Sequence, residues 1–403
     1  MRMTCRSTTY RRAGQVASLV ACLVFGVSIS PAHAQQTTVD ILSFLLTNRT
    51  IITGDFDRDA QAAATTRDTI ATFLIQELAT LPVSSSSGGF TYRLDRQLGT
   101  VIRTSDSFGP FYTERSLTAG RNRASFGVGY QSSLYNTIDG RDLRDGTLVS
   151  TAAILRGDTQ PFDVETVSLR IRTDTMTFTG NYGITDRLDV SVAVPFVRLS
   201  LQGERVDTYR GQAFVQATGS ASASGLGDLV TRVKFNLFRE GANGLAIGAE
   251  TRLPTGDEDN LLGAGEVSFT PRVIGSVEGN TVGFHGQVGY TVRGVSKALG
   301  YGAALTVAAT PRFTVIGELL GRRVEGLGRL GSTTAPHPRL VGVDTIRLTG
   351  IEETTDRIVA VGGVKWNMSS TWLFMANVLR PLTDVGLNAT WIPTITFDYS
   401  FGG

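Results

Sequence analysis

The sequence has only two cysteines, Cys5 and Cys22, so nothing after residue 22 can form a disulfide. Burial and hydrogen bonding must therefore hold the fold. Charge is scarce too: charged residues make up 18% of the chain against 41% hydrophobic ones. That balance excludes intrinsic disorder, which combines low hydrophobicity with high charge. Past residue 35 no run of 18 apolar residues occurs, which excludes a bundle of membrane helices. A net charge of +2 provides no field for a polyanion, and no nucleic-acid partner is expected. Histidine numbers three in all. Beyond the N-terminal region only His285 and His337 remain, and neither has the spacing of a zinc site or a Ser-His-Asp triad. A phosphate-cradling Gly-x-Gly-x-x-Gly loop between strand and helix is also missing. No metal, no cofactor and no enzymatic chemistry are expected.

What is abundant is glycine, with 46 residues among 403. A chain of this length and balance fits one large all-β domain, either soluble or spanning a membrane. The first 34 residues read as an export signal. Arg2, Arg6, Arg11 and Arg12 form a basic start, an apolar stretch runs from Val16 to Ile29, and Ala32-His33-Ala34 supplies a small-x-small cleavage site. Leu19-Val20-Ala21-Cys22 has the form of a lipoprotein box, but the apolar core continues through Leu23-Val24-Phe25, so cleavage after Ala34 is expected. Without those four arginines the remainder is slightly acidic.

Residues 35–121 form a prefix of different texture. Ile41, Leu42, Phe44, Leu45 and Leu46 make a short apolar segment. Ile70, Phe73, Leu74, Leu78 and Leu81 recur at helical spacing, which predicts an amphipathic helix over Asp57–Leu81. Pro82 and the run Ser84 to Gly89 end it as a flexible joint. The prefix is expected to be a periplasmic helical appendage or a plug.

Residues 122–403 have period two. Phe126, Val128 and Tyr130 alternate with Ser125, Gly127 and Gly129, and Leu188, Val190, Val192 and Val194 with Asp189, Ser191 and Ala193. The last strand is the clearest, with Trp391, Pro393, Ile395, Phe397, Tyr399 and Phe401 set against Thr394, Thr396, Asp398 and Ser400. Followed through the chain, the rhythm yields about 12 strands, most of which can reach the ~9–11 residues that cross a bilayer obliquely. Short connections at Gly183–Asp186, Arg239–Asn243, Glu278–Asn280, Thr310–Pro311 and Ser369–Ser370 alternate with longer ones, including Asn136–Phe162, Glu204–Gly225 and Val324–Thr355. Short periplasmic turns and long external loops mark bacterial outer-membrane barrels. Phe313, Trp372, Tyr399 and Phe401 would ring one rim, and Phe269, Tyr290 and Trp391 the other, which a soluble sandwich has no reason to do. The expected fold is all-β: a transmembrane antiparallel β-barrel in the outer membrane, bearing an N-terminal prefix.

The row opposite the apolar one would line the lumen. It contains Arg232, Lys234, Glu250, Arg252, Arg272, His285, Gln287 and Glu318 as candidate pore-lining residues. If the turn at Arg239–Asn243 pairs Leu237 with Leu245, Arg232 faces Glu250 across the hairpin, either polarising a constriction or closing empty volume. Asp257, Glu258 and Asp259 cluster in one loop, but Leu261 and Leu262 stand where a calcium loop needs an oxygen ligand and a glycine, so a solvated acidic loop is expected. Higher up, Val167, Leu169 and Ile171 are odd while Met176 and Phe178 are even, and the partner strand changes phase near Pro195. A bulge there would keep the apolar row on lipid; otherwise the protruding hairpin turns an apolar surface inward.

Asn181-Tyr182-Gly183-Ile184-Thr185-Asp186-Arg187-Leu188-Asp189-Val190 with Val194-Pro195-Phe196, then Gly225-Leu226-Gly227-Asp228, Arg252-Leu253-Pro254-Thr255-Gly256-Asp257 and Val288-Gly289-Tyr290 carry a family likeness. Over about residues 180–295 the chain resembles the outer-membrane proteins grouped as the MetA pathway of phenol degradation. The resemblance implies an outer-membrane transport role for aromatic or other apolar small molecules, and no catalytic residues carry over. The leading expectation is a channel for such solutes, gated or plugged by Gln35–Gly89, with outer-membrane lipid and lipopolysaccharide around it. The alternatives are a structural or adhesive barrel binding through loops such as Val324–Thr355, and a lumenal enzyme at His285.

Overall fold

Twelve long strands follow one another from residue 124 to residue 401, as the alternation predicts. They are β1 (Ala124–Ile138), β2 (Asp163–Gly183), β3 (Leu188–Tyr209), β4 (Leu229–Glu240), β5 (Asn243–Leu253) and β6 (Ser268–Glu278), then β7 (Val282–Thr291), β8 (Ala298–Thr310), β9 (Phe313–Val324), β10 (Thr355–Asn367), β11 (Trp372–Pro381) and β12 (Ile392–Phe401). This computed structural model describes residues 36–80, 85–86, 89, 92–95, 100–103, 107–326, 328–369 and 371–401. The expected export signal and most of the expected joint after Pro82 lie outside the described residues.

Neighbouring strands pair antiparallel, and β12 closes the barrel on β1, with Phe401 opposite Ala124 and Phe397 opposite Val128. Closure leaves the twelve strands no free edge at membrane depth, so their backbone donors and acceptors there are met by neighbours. The outward row is apolar and exposed: Phe126, Phe178, Val192, Phe235, Ile247, Val288 and Ile395. The inward row is polar and buried, with Thr175, Asn181, Lys234, Glu250, Thr306 and Lys365. A soluble barrel would bury the first row and expose the second; this is the polarity of a barrel in lipid. Aromatic side chains pack outside at the short-turn rim, where the rings of Trp372 and Tyr399 lie 4.9 Å apart and those of Tyr399 and Phe401 5.8 Å.

β2 and β3 differ from the rest in length, at 21 and 22 residues. About ten residues suffice to cross a bilayer, so their upper halves project beyond it. Four further strands join the projection directly or in sequence: Gln212–Leu226 on β3, Leu148–Leu155 on β2, Val343–Ile351 on Leu148–Leu155, and Arg329–Pro336 on Val343–Ile351. Together they form a collar at the long-loop end.

The bulge expected near Pro195 is absent. Pairing of β2 with β3 runs without a shift from Gly183 opposite Asp189 to Asp163 opposite Tyr209. Pro195 sits where β3 exchanges partners, between Ala193 opposite Val230 and Phe196 opposite Leu226. Its carbonyl accepts the Gly227 N–H at 2.9 Å, so its missing N–H points into the same gap and breaks no ladder. With register unbroken, the phase change must move polarity across the wall. Val167, Leu169, Ile171, Leu199 and Leu201 all point into the collar and are fully buried.

Two helices cover that surface. Helix α1 (Thr38–Leu46) begins with a capping box in which the Thr37 hydroxyl accepts from the Asp40 N–H and the Asp40 carboxylate from the Thr37 N–H. It lays Ile41, Leu42 and Leu45 on the collar. Gly203 makes this possible: a Cβ there would fall 2.4 Å from Leu45 Cδ1 and 2.9 Å from Leu169 Cδ2. Helix α2 (Phe56–Thr80) starts at Asp55, whose carboxylate accepts the Arg58 N–H, and packs along Val343–Ile351. The helices therefore sit at the long-loop end, opposite the short turns.

Candidate lumenal site

The interior is occupied by the chain's own residues 107–120. Phe108 to Ala119 are all buried. The segment has no ladder of its own, so side chains of the wall must satisfy its backbone. Glu318 on β9 does most of this, accepting the N–H groups of Phe111, Tyr112 and Thr113, the last at 2.8 Å. Gln287 accepts from the Glu114 N–H at 3.0 Å, Ser276 from Ser116 at 2.9 Å, and Asp189 from Ala119 at 2.9 Å. In return Lys365 donates to the Pro110 carbonyl at 2.9 Å and Asn236 to that of Ser116 at 2.7 Å. These wall groups lie on β3, β4, β6, β7, β9 and β10, so the segment is held from around the barrel.

Charge is paired through the same segment. Glu114 meets Lys234 at 3.3 Å and Arg232 at 3.4 Å, and accepts from the Ser86 N–H at 2.9 Å. Burial alone would raise its carboxyl, but the charges of Lys234 and then Arg232 outweigh that and hold it down at about 2. Arg115 faces Glu278 at 3.5 Å with both side chains buried.

Above the segment lies an arginine cluster. Arg232 stands directly opposite Glu250 in the β4–β5 hairpin, and their side chains meet at 2.7 Å. The pairing nearer the turn differs from expectation: Leu245 lies opposite Phe238, and a shift between Leu245 and Ala246 restores the predicted register above it. Glu250 also binds Arg272 at 2.9 Å and Arg252 at 3.1 Å, so three guanidiniums share one carboxylate. The cluster borders a cavity of about 250 Å³.

Arg232, Glu250, Arg252 and Arg272 thus form one group, to which Lys234 and Gln287 connect through Glu114. Glu318 works separately, on the segment's backbone. His285 stands apart: its Nδ1 lies 3.0 Å from the Ser276 hydroxyl and its Nε2 3.3 Å from that of Thr306. Neither ring nitrogen has a carboxylate partner among the described residues, unlike the histidine of a hydrolytic triad. His337 serves the prefix, with Nε2 at 2.7 Å from the Ile52 carbonyl. The acidic loop does likewise: the Asp259 carbonyl and the Asn260 side chain accept the first N–H groups of α1.

Glu114, Arg115 and Phe111 are not picked out by strand periodicity, since they lie outside any strand. A signal existed in the wall. Glu318 stands opposite Ala304 and Val361, and Lys365 opposite Thr314 and Met375. An inward charge with no charged neighbour across either ladder needs a partner from elsewhere.

A closed barrel of twelve antiparallel strands, apolar outside and polar within, is an outer-membrane β-barrel protein. The family model described as "Putative MetA-pathway of phenol degradation" matches residues 144–388, and the chain belongs to that family. Among solved structures the chain is similar to an outer membrane channel from Pseudomonas putida F1, at 14% identity and a TM-score of 0.43, over 71% of this chain and 98% of that one. It is also similar to the Ralstonia pickettii toluene transporter TbuX, at 11% identity and a TM-score of 0.26, over 70% and 90% of the two chains. No curated protein matches the sequence.

Proposed function

We propose that this protein is an outer-membrane channel for small apolar or aromatic solutes, kept closed by its own N-terminal residues. The observation that carries this reading is the way the lumen is filled. Apart from Phe108, Phe111 and Tyr112, which pack on the apolar cluster, residues 107–120 are held by hydrogen bonds and ion pairs from many strands and by no ladder. Such contacts exchange readily for water, so a polar filling can leave a wall that stays intact without it. A barrel meant only as an anchor gains nothing from a polar wall that its own chain must then satisfy. The apolar collar under α1 supports an apolar solute, because it offers a dry surface on the external side once the helix moves.

Reconstituted protein tests the reading directly. Flux of benzyl alcohol, a sugar and a small ion is compared between the full chain and one lacking residues 36–121. The shortened chain should pass all three faster, and the full chain should favour the aromatic. Absence of flux from both chains would sink the channel and leave an adhesive or structural barrel.

A further inference from the structure

The cavity beside Glu250 has two unlike walls. On the arc β4–β6 stand Arg252 and Arg272 around Glu250; on the arc β9–β12 stand Leu320, Val359, Leu379 and Ile392. Arg322, on β9, lies at the boundary and also lines the cavity. Its charge is the unusual one. It makes no hydrogen bond or ion pair among the described residues. Across the ladder it faces another cation, Arg357, and that one is taken by Glu77. Of the carboxylates lining the cavity, Glu250 is already divided among three arginines, Glu77 is on Arg357, Asp228 accepts the N–H groups of Gly256 and Ala264, and Glu266 is exposed.

A guanidinium held in a narrow lumen without an ion pair of its own is costly, and an anion placed beside it lowers the cost. Arginine binds carboxylates through paired N–H groups, which sets the geometry of such an anion. The apolar arc next to it requires the rest of the ligand to be apolar. At about 250 Å³ the space is below the range of pockets for drug-sized ligands, so one ring is its limit.

We propose that this cavity binds an aromatic monocarboxylate, its ring on Leu320, Val359, Leu379 and Ile392 and its carboxylate accepting from Arg322. This deepens the channel reading, on which it rests for the ligand's route in and out.

Calorimetry on the purified full chain in detergent tests it with three probes: benzoate, benzyl alcohol as the neutral ring, and acetate as the anion without a ring. Benzoate should bind about tenfold or more tighter than either. Arg322→Gln should weaken benzoate by about tenfold and leave benzyl alcohol unchanged, while Arg323→Gln, on the outer face of the same strand, should change neither. Equal affinity for benzoate and benzyl alcohol in the unmodified protein would overturn the proposal without any variant. So would benzoate binding that survives Arg322→Gln. Because the assay reads binding and not flux, the two ideas fail separately. A chain that binds benzoate but passes no solute overturns the channel alone, and one that passes benzyl alcohol without preferring benzoate overturns this site alone.

Discussion

The lower and upper halves of β2 and β3 are one pair of strands in two environments. In the lower half Met176, Phe178 and Val192 face out, while Thr175, Asn181 and Asp189 face in. In the upper half the outside carries Arg170, Arg172 and Arg198, and the inside Leu169, Ile171, Leu199 and Leu201. The backbone register is the same throughout. Which way a residue points is thus set by the ladder, and what it must be is set by the solvent on that side. Lipid outside demands an apolar exterior and leaves the lumen polar; water outside reverses this and lets the collar be packed dry by α1.

The comparison breaks first at its driest point. Leu169→Ala in the collar removes a fully buried side chain that meets Leu45 of α1 at Gly203 and should cost about 2–5 kcal/mol, read as earlier proteolysis of the prefix. An unchanged proteolysis profile would mean that α1 is not held there. Val192→Arg on the lipid face should cost about 2–4 kcal/mol in folding into bilayers. Arg198→Leu on the outer face of the collar, six residues further along the same strand, should stay within about 0.5 kcal/mol. If both exterior substitutions behave alike, the membrane boundary has been drawn at the wrong height.

Acid provides the gentlest probe. Glu114 is ionised in the folded state down to about pH 2, whereas an unfolded carboxyl titrates near 4.5. Its folded value is lowered, so its contribution to holding the segment is complete above pH 4.5 and is lost as pH falls from there towards 2. Hydrogen exchange at the Ser86 N–H, which Glu114 accepts, should be flat from pH 7 to pH 5, once intrinsic rates are corrected, and should rise below that. A rise already at pH 6 would point to a different titrating group.

The twelve strands were legible because each alternates over eight or more residues and is bounded by turn residues, as in Ile395, Phe397 and Tyr399 against Thr394, Thr396 and Asp398. The eight lumenal candidates followed from that parity, since a period of two leaves no third side. Arg232 opposite Glu250 could be read because the hairpin turn is short, although the shift at Leu245 could not. The destination of the prefix was not legible. Residues 107–120 have no period, and their partners, Glu318, Gln287 and Asp189, lie between about 70 and 200 residues away in sequence. Periodicity describes an element's own faces and is silent on which unpatterned segment will fill the space those faces enclose. The phase change was visible, but with Pro195 beside it a bulge was the expected explanation and the inward turn of the collar the alternative. Only the partner exchange at that residue separates the two.

The central claim is that residues 107–120 close the lumen by contacts that can be released. Ser116 and Ser276 touch, with the Ser116 N–H donating to the Ser276 hydroxyl at 2.9 Å, and no cysteine follows residue 22. A chain carrying Ser116→Cys and Ser276→Cys can therefore be locked by one disulfide and unlocked by a reductant while a planar-bilayer recording continues. Closure by this segment predicts a silent or low-conductance state when oxidised and openings that appear on reduction. The same open conductance in both states would contradict it.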